Sequence, residues 1–122
     1  MTTATKWHIG FALLLLATAL VVGSLAAFAF LLPDGIALIP FRQLRPIHVS
    51  AALFWIISGA TAGLVHFKRV EFGETRGSML YTGFLVLWIG TILAVFGFYA
   101  VNQYGGREYW EFPPLLAVPL LF

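Results

Sequence analysis

Three long apolar segments constrain the fold of this chain more than any other feature of its sequence. They run from about Ile9 to Leu32, from about Ile47 to Phe67 and from about Met79 to Val101. Each segment has the roughly 20 apolar residues with which a helix crosses a hydrocarbon core about 30 Å thick. A fourth apolar segment, residues 113–122, is too short to cross a bilayer as a helix. We therefore predict an all-α integral membrane protein with three complete transmembrane helices and the start of a fourth.

The composition excludes a soluble domain. Hydrophobic residues make up 61% and charged residues 10% of the 122 residues, whereas soluble proteins are about 45–50% apolar and about 25% charged. A chain of this length has too little interior to bury so much apolar surface, so membrane lipid is its expected surrounding. Seven lysines and arginines in total do not form the basic surface of a nucleic-acid-binding protein. The absence of cysteine excludes disulfides, thiolate metal sites and cysteine nucleophiles.

The charged residues lie almost entirely between the apolar segments. The N-terminus and the second connection hold four lysines and arginines, and the first and third connections hold three. By the positive-inside rule this predicts a cytoplasmic N-terminus. A signal peptide is the alternative for the first segment, but its apolar region of about 7–15 residues is shorter than this one. In either orientation the first and third connections share one membrane face, where seven ionisable residues can converge: Asp34, Arg42, Arg45, His48, Arg107, Glu108 and Glu111.

His48, just inside the second predicted span, is the first candidate site residue. An ionisable side chain is costly inside a membrane, so it marks a functional site by default. A neutral imidazole is a standard axial ligand of haem iron, and Arg45, one helical turn earlier, supplies a cation for a haem propionate. His66 would lie about 27 Å further along a helix, which is too far to serve the same haem and too wide for a di-haem cytochrome b. We interpret His66 and His8 as structural.

A second candidate site follows the third apolar segment. Glu108 and Glu111 are three residues apart, which places them on one side of a helical turn, and Arg107 directly precedes them. Carboxylates at a membrane interface can bind a hard cation such as calcium, or they can pass protons at the edge of a low-dielectric region. The alternative is a solvated loop beside interfacial tyrosine and tryptophan side chains.

Both motifs resemble sequences in the N-terminal part of the catalytic subunit of the haem-copper oxidase superfamily. The branch they resemble contains the bacterial nitric oxide reductases and the C-family cytochrome c oxidases. The reductases have Pro-Phe, three residues, Arg, two residues, His, and a Trp seven positions later. Pro40, Phe41, Arg45, His48 and Trp55 match this pattern. After the third span they have Gly-Arg-Glu, an aromatic residue, one further residue, Glu, one further residue and then a proline. Here the matching residues are Gly106, Arg107, Glu108, Tyr109, Glu111 and Pro113.

The resemblance implies a role for each matched site residue. His48 would be an axial ligand of a low-spin haem b, and Arg45 and Arg107 would lie near its propionates. Glu108 would ligate a calcium ion that links the propionates to the loops, and Glu111 would lie near the proton route. The resemblance covers the whole chain but only about the first quarter of a subunit with about a dozen spans. The high-spin haem and the non-haem iron or copper would be held by later helices, so the fragment alone would be inactive.

The reaction predicted for the whole subunit is reduction of nitric oxide to nitrous oxide in the respiratory chain of a bacterial inner membrane. Reduction of dioxygen to water by a C-family oxidase is the alternative, because Pro46 after Arg45 also fits that family. The sequence at 65–69, Val-His-Phe-Lys-Arg, departs from the Tyr pair and Val-Pro-Glu-Glu of the reductases. If Met1 is the true start, there is no room for the extra span and soluble domain of the quinol-using reductases, and a membrane-anchored cytochrome c subunit is then the expected electron donor. A small non-enzymatic membrane scaffold is the remaining alternative.

Overall fold

Three long helices form the fold. The computed structural model describes residues 2–33, 38–73, 78–105, 112–116 and 118. This part of the chain contains α1 (Thr3–Leu31), α2 (Phe41–Phe72), α3 (Ser78–Ala100) and a short 3-10 helix, Pro114–Leu116, and it has no strand. All three α-helices are long and apolar enough to cross a membrane. The all-α prediction with three spanning helices is confirmed, while the start of a fourth span remains a prediction because most of residues 117–122 lie outside the described part.

Helix α2 begins six residues before the apolar segment that predicted it. Pro40 is its N-cap residue, with φ −67° and ψ 146°, and its carbonyl accepts two N–H bonds from the first turn. Pro46, which directly precedes the predicted span, lies inside the helix at the cost of one backbone hydrogen bond, because proline has no N–H. Arg42, Arg45 and His48 therefore project from one continuous helix.

Residues in the left-handed conformation follow α2 and α3. Gly73 ends α2 with a φ of 62°, which glycine adopts without steric cost. Asn102 has a φ of 58°, and the next N–H, that of Gln103, donates to the carbonyl of Phe98 at 2.9 Å. This closure is typical of helix C-termini. The chain therefore turns sharply after α3, and Tyr104 stacks back on Tyr99 with 5.7 Å between ring centroids.

The helices run antiparallel to their neighbours in sequence. Helices α1 and α2 pack along their lengths, and α3 contacts both less extensively. Ala12, Ala19 and Ala26 are buried on α1 and recur every seven residues on one face. Small residues at a membrane helix interface let the backbones approach closely, which is the main source of packing energy where no hydrophobic effect drives association. The α1–α2 pair is therefore held by close backbone packing.

An aromatic cluster joins α2 and α3. The ring of Phe54 meets Trp88 edge-on at 5.9 Å between centroids, and Phe112 stacks on Phe54 at 6.4 Å. Two buried hydrogen bonds add to this contact, from Trp88 Nε1 to Ser58 Oγ at 2.9 Å and between Ser50 Oγ and Tyr99 OH at 2.8 Å. The outward faces of the helices carry exposed large apolar side chains, as lipid contact requires.

Candidate functional site

The His48 ring points from the third turn of α2 at the backbone of α1. Its Nδ1 atom lies 2.7 Å from the carbonyl oxygen of Ala19. A carbonyl oxygen only accepts hydrogen bonds, so Nδ1 carries the hydrogen and donates it. In the neutral ring Nε2 therefore holds the lone pair. This is the arrangement of metal-ligating histidines, whose other ring nitrogen usually donates to a carboxylate, backbone carbonyl or water.

Gly23 supplies the space in which the His48 ring lies. A Cβ atom at position 23 would be 2.6 Å from both Nδ1 and Cε1 of His48, which is closer than real Cβ contacts allow. Gly23 is one helical turn after Ala19, so one short stretch of α1 provides both the hydrogen-bond acceptor and the room for the ring. The sequence analysis missed both residues, because a backbone carbonyl and an absent side chain carry no chemical signature.

A pocket of about 270 Å³ opens at the start of α2, lined by Phe41, Arg42, Arg45 and Tyr104. Both arginines are exposed, and Arg45 lies about 4.5 Å from His48 along the helix axis. Guanidinium groups bind carboxylates and phosphates through charge-assisted hydrogen bonds. The sequence analysis identified Arg45 as a site residue, and the structure adds Arg42 and Tyr104 beside it.

The start of α2 and the end of α3 meet at one end of the bundle. The side-chain amide of Gln43, in the first turn of α2, donates to Asn102 Oδ1 at 3.0 Å. The hydroxyl of Tyr104 donates to the same oxygen at 3.2 Å. Asn102 therefore joins the start of α2 to the end of α3, on the side of the bundle where the arginine-lined pocket lies.

The second motif falls outside the residues that the structure describes, and with it three predicted site residues: Arg107, Glu108 and Glu111. The described residues on either side of it are attached to the bundle. Tyr104 lines the pocket at the start of α2, and Phe112 is buried against Phe54. Tyr104 and Phe112, which come before and after this segment in the sequence, thus both contact the bundle.

The described ranges contain no group of three or more His, Cys, Asp or Glu side chains that could hold a metal ion. Within these ranges the His48 imidazole could supply one axial ligand to a haem iron. The calcium prediction depends on Glu108, beyond those ranges. His66 lies on α2 about 27 Å beyond His48 and is half-buried, so the two histidines are as far apart as predicted.

A second polar cluster, at the opposite end of the bundle, escaped the sequence analysis. His8 is fully buried, with 0% of its surface exposed, and its Nδ1 lies 2.7 Å from the hydroxyl of Tyr81. The guanidinium of Arg69 lies over the Tyr81 ring at 5.2 Å from its centroid and donates to Thr2 Oγ1 at 2.6 Å. The available signal was the three-residue spacing of Thr2, Thr5 and His8, which places all three on one face of α1.

No protein family, curated protein or solved structure matches this chain. The resemblance to haem-copper oxidases therefore depends on the two sequence motifs alone. The structure shows that α1 orients the His48 ring.

Proposed function

We propose that this chain is the N-terminal, haem b-binding part of a respiratory catalytic subunit that reduces nitric oxide to nitrous oxide in a bacterial inner membrane. The observation that carries the proposal is the hydrogen bond from His48 Nδ1 to the Ala19 carbonyl. It leaves Nε2 with the lone pair that a haem iron requires. The two sequence motifs that contain His48 and Glu108 support the same assignment.

Three features of the surroundings of His48 suit its role as an axial haem ligand. The Ala19 carbonyl fixes the tautomer and the orientation of the ring. Gly23 leaves the space that the ring needs. Arg45, with Arg42 beside it, offers positive charge for the haem carboxylates at the end of α2 that meets water. When bound, a low-spin haem supplies one-electron transfer.

The remaining roles come from the resemblance. Arg107 would face a propionate, Glu108 would hold the calcium ion, and Glu111 would take part in proton supply. The high-spin haem and the non-haem iron would be bound by helices beyond residue 122. A membrane-anchored cytochrome c subunit would deliver the electrons, and a purified full-length protein that oxidises quinol without that subunit would contradict this part of the proposal.

The haem assignment is tested by His48→Ala in the full-length protein, with His66→Ala as the matched control on the same helix. The expected result is loss of the low-spin haem spectrum in His48→Ala, with the high-spin signal kept and the helical circular dichroism unchanged. His66→Ala is expected to keep both haem signals. A folded His48→Ala variant with an unchanged low-spin spectrum would overturn the assignment, and a full-length protein without any haem would favour the scaffold alternative.

The substrate is tested by turnover of the full-length protein with the reduced cytochrome c subunit. The proposal expects nitric oxide consumption with one nitrous oxide formed from two molecules of nitric oxide. Dioxygen reduction is the second candidate, and Pro46 directly after Arg45 is the feature that favours it. Dioxygen consumption without nitric oxide consumption would replace the reductase by the C-family oxidase while leaving the role of His48 intact.

A further inference from the structure

Arg69, near the end of α2, is held in place by residues of the two neighbouring helices. Its Nη1 donates to Oγ1 of Thr2, the N-cap residue of α1, at 2.6 Å. Its guanidinium lies over the Tyr81 ring of α3, 5.2 Å from the centroid, and the Tyr81 hydroxyl is hydrogen-bonded to the buried His8 at 2.7 Å. The guanidinium therefore has a defined position where the start of α1, the end of α2 and the start of α3 meet.

These contacts leave the charge of Arg69 without a counter-charge. A hydroxyl and an aromatic ring attract a cation but carry no negative charge, and a guanidinium has more N–H donors than its one bond to Thr2 uses. Glu71 is the one acidic residue in the described part of the chain. Residues two positions apart on a helix do not face each other, whereas residues three apart do, so Glu71 faces Lys68. Arg69 is therefore a half-buried cation with no described carboxylate beside it.

Lys6 adds a second cation on the side of α1 that carries Thr2. Its backbone N–H donates to the carbonyl of Thr2 at 3.0 Å, so the two residues lie one turn apart on one face of the helix. Side chains on a helix lean towards its N-terminus, which directs the exposed Lys6 chain towards the turn where Thr2 meets Arg69. The first turn of α1 has no acidic residue to offset the partial positive charge of a helix N-terminus. This corner of the bundle is therefore electropositive.

The same corner offers apolar surface at the level of the lipid headgroups. Trp7, directly after Lys6, has 71% of its surface exposed, and tryptophan is enriched at the interface between membrane and water. Met79 and Leu80, which precede Tyr81 on α3, are exposed as well. Phospholipids combine a phosphate, which pairs with cations, with acyl chains, which cover exposed apolar side chains. A phospholipid therefore suits this corner better than a free anion in water.

We propose that Lys6 and Arg69 bind the phosphodiester of an anionic phospholipid where α1 begins and α2 ends. A guanidinium donates charge-assisted hydrogen bonds to phosphate oxygens, and lysine binds phosphate as a point charge. A zwitterionic headgroup would bring its own cation to a corner where the described residues place two cations and no facing carboxylate, so a net negative headgroup is favoured. The site lies at the opposite end of the bundle from His48 and needs no haem, so its test does not depend on the proposed function.

The fluorescence of Trp7 can report on this site. The full-length protein is placed in phosphatidylcholine nanodiscs that contain a small share of either phosphatidylglycerol or phosphatidylcholine with brominated acyl chains, which quench nearby tryptophan. The quenching of Trp7 is the difference between each protein and the same protein with Trp7→Phe. Lys6→Gln and Arg69→Gln each remove one cation of the site. Lys68→Gln is the matched control, because it removes a cation at the same end of the bundle on the side that Glu71 faces.

Trp7 is expected to be quenched more strongly by brominated phosphatidylglycerol than by brominated phosphatidylcholine. This preference is expected to fall roughly 5-fold in Lys6→Gln and in Arg69→Gln, the contribution of one cation at an anionic membrane surface. Lys68→Gln is expected to keep it, because Glu71 offsets the charge at position 68. Equal quenching by the two lipids, or equal losses in Lys68→Gln and Lys6→Gln, would overturn the proposal. Lys6 is exposed, so Lys6→Gln is expected to fold and decides the question even if Arg69→Gln does not fold.

Inorganic phosphate distinguishes a lipid site from a site for a free anion. It is added to the nanodiscs in parallel with sodium chloride of the same ionic strength. The preference for phosphatidylglycerol is expected to fall equally in both salts, because screening depends on ionic strength. A larger loss in phosphate than in chloride would show that Lys6 and Arg69 bind free phosphate, and it would overturn the lipid assignment.

Discussion

Gly23 on α1 and His48 on α2 fit each other so closely that one added carbon atom at position 23 would lie 2.6 Å from two atoms of the imidazole ring. The same ring donates to the carbonyl of Ala19, one turn earlier on α1. The position of the ring is thus determined by α1, although the histidine belongs to α2. Changes on α1 are therefore expected to alter the chemistry of His48.

Gly23→Ala is expected to displace the His48 ring and break its bond to Ala19. Overpacking of this kind costs about 1–3 kcal/mol of stability, to be measured by denaturant unfolding in detergent micelles. If His48 binds haem as proposed, the low-spin spectrum is expected to weaken as well. Gly10→Ala is the control, because a Cβ atom there meets nothing within 4 Å, and it is expected to be neutral or slightly stabilising. Equal stabilities of the two variants would show that the ring moves freely.

Ser58→Ala is expected to destabilise the α2–α3 contact, because it leaves the buried indole N–H of Trp88 without its acceptor. An unsatisfied buried donor costs about 1–3 kcal/mol, measured as a lower unfolding midpoint. Ser24→Ala is the control, since the Ser24 hydroxyl is exposed and bonds only within its own helix. The double variant Ser58→Ala with Trp88→Phe is expected to be more stable than the sum of its single effects predicts. Strict additivity would mean that the bond contributes nothing.

Asn102 combines a left-handed backbone with side-chain bonds from Gln43 and Tyr104, and two substitutions separate these contributions. Asn102→Gly keeps the backbone favourable and removes the side-chain bonds, so it measures the bonds alone. Asn102→Ala removes the bonds and adds the strain of a left-handed residue, about 1–2 kcal/mol. We therefore expect thermal unfolding to rank the unmodified protein above Asn102→Gly and Asn102→Ala last. Equal thermal unfolding midpoints of Asn102→Ala and Asn102→Gly would show that the backbone at this position relaxes.

The two glutamates of the second motif are expected to respond differently to removal of their charge, if the proposed function is correct. Glu108→Gln in the full-length protein should lower the calcium content and disturb the haem spectrum, because a neutral amide is a poorer ligand for a hard cation. Glu111→Gln should slow turnover while the spectrum stays intact, because an amide does not carry protons. Calcium analysis, absorption spectra and turnover of both variants check this. Near-neutral effects of both would indicate a solvated loop, as at most surface sites.

The sequence was sufficient to predict the three spanning helices, because the thickness of a bilayer imposes a minimum length of apolar chain. It was less informative about where helices begin. The second apolar segment was predicted from about Ile47, yet α2 starts at Phe41 and includes Pro46, since one missing N–H bond near a helix end is a small cost beside the bonds of a 32-residue helix. Composition therefore predicts the span of a helix better than its ends.

The contacts of the candidate site residues were beyond the reach of the sequence. The acceptor for His48 is a main-chain oxygen that every residue has, and its position opposite Ala19 depends on how α1 and α2 are rotated about their axes. The pairing of His8 with Tyr81 likewise joins residues 73 positions apart, on helices whose apolar surfaces extend all round. Without a polar face to set the rotation, periodicity does not indicate which side chains meet.

The length of α2 has a consequence for depth in the membrane. Arg45 near its start and Lys68 near its end are both exposed and are separated by about 35 Å of helix, close to the 30 Å or so of a hydrocarbon core. From such positions the long side chains of arginine and lysine extend towards the lipid headgroups. A helix held by cations at both ends has little freedom to slide along the membrane normal, and a thinner bilayer would tilt it instead. The two cations therefore favour one depth of α2 in the bilayer, at which His48 lies about 4.5 Å further inside than Arg45 along the helix axis.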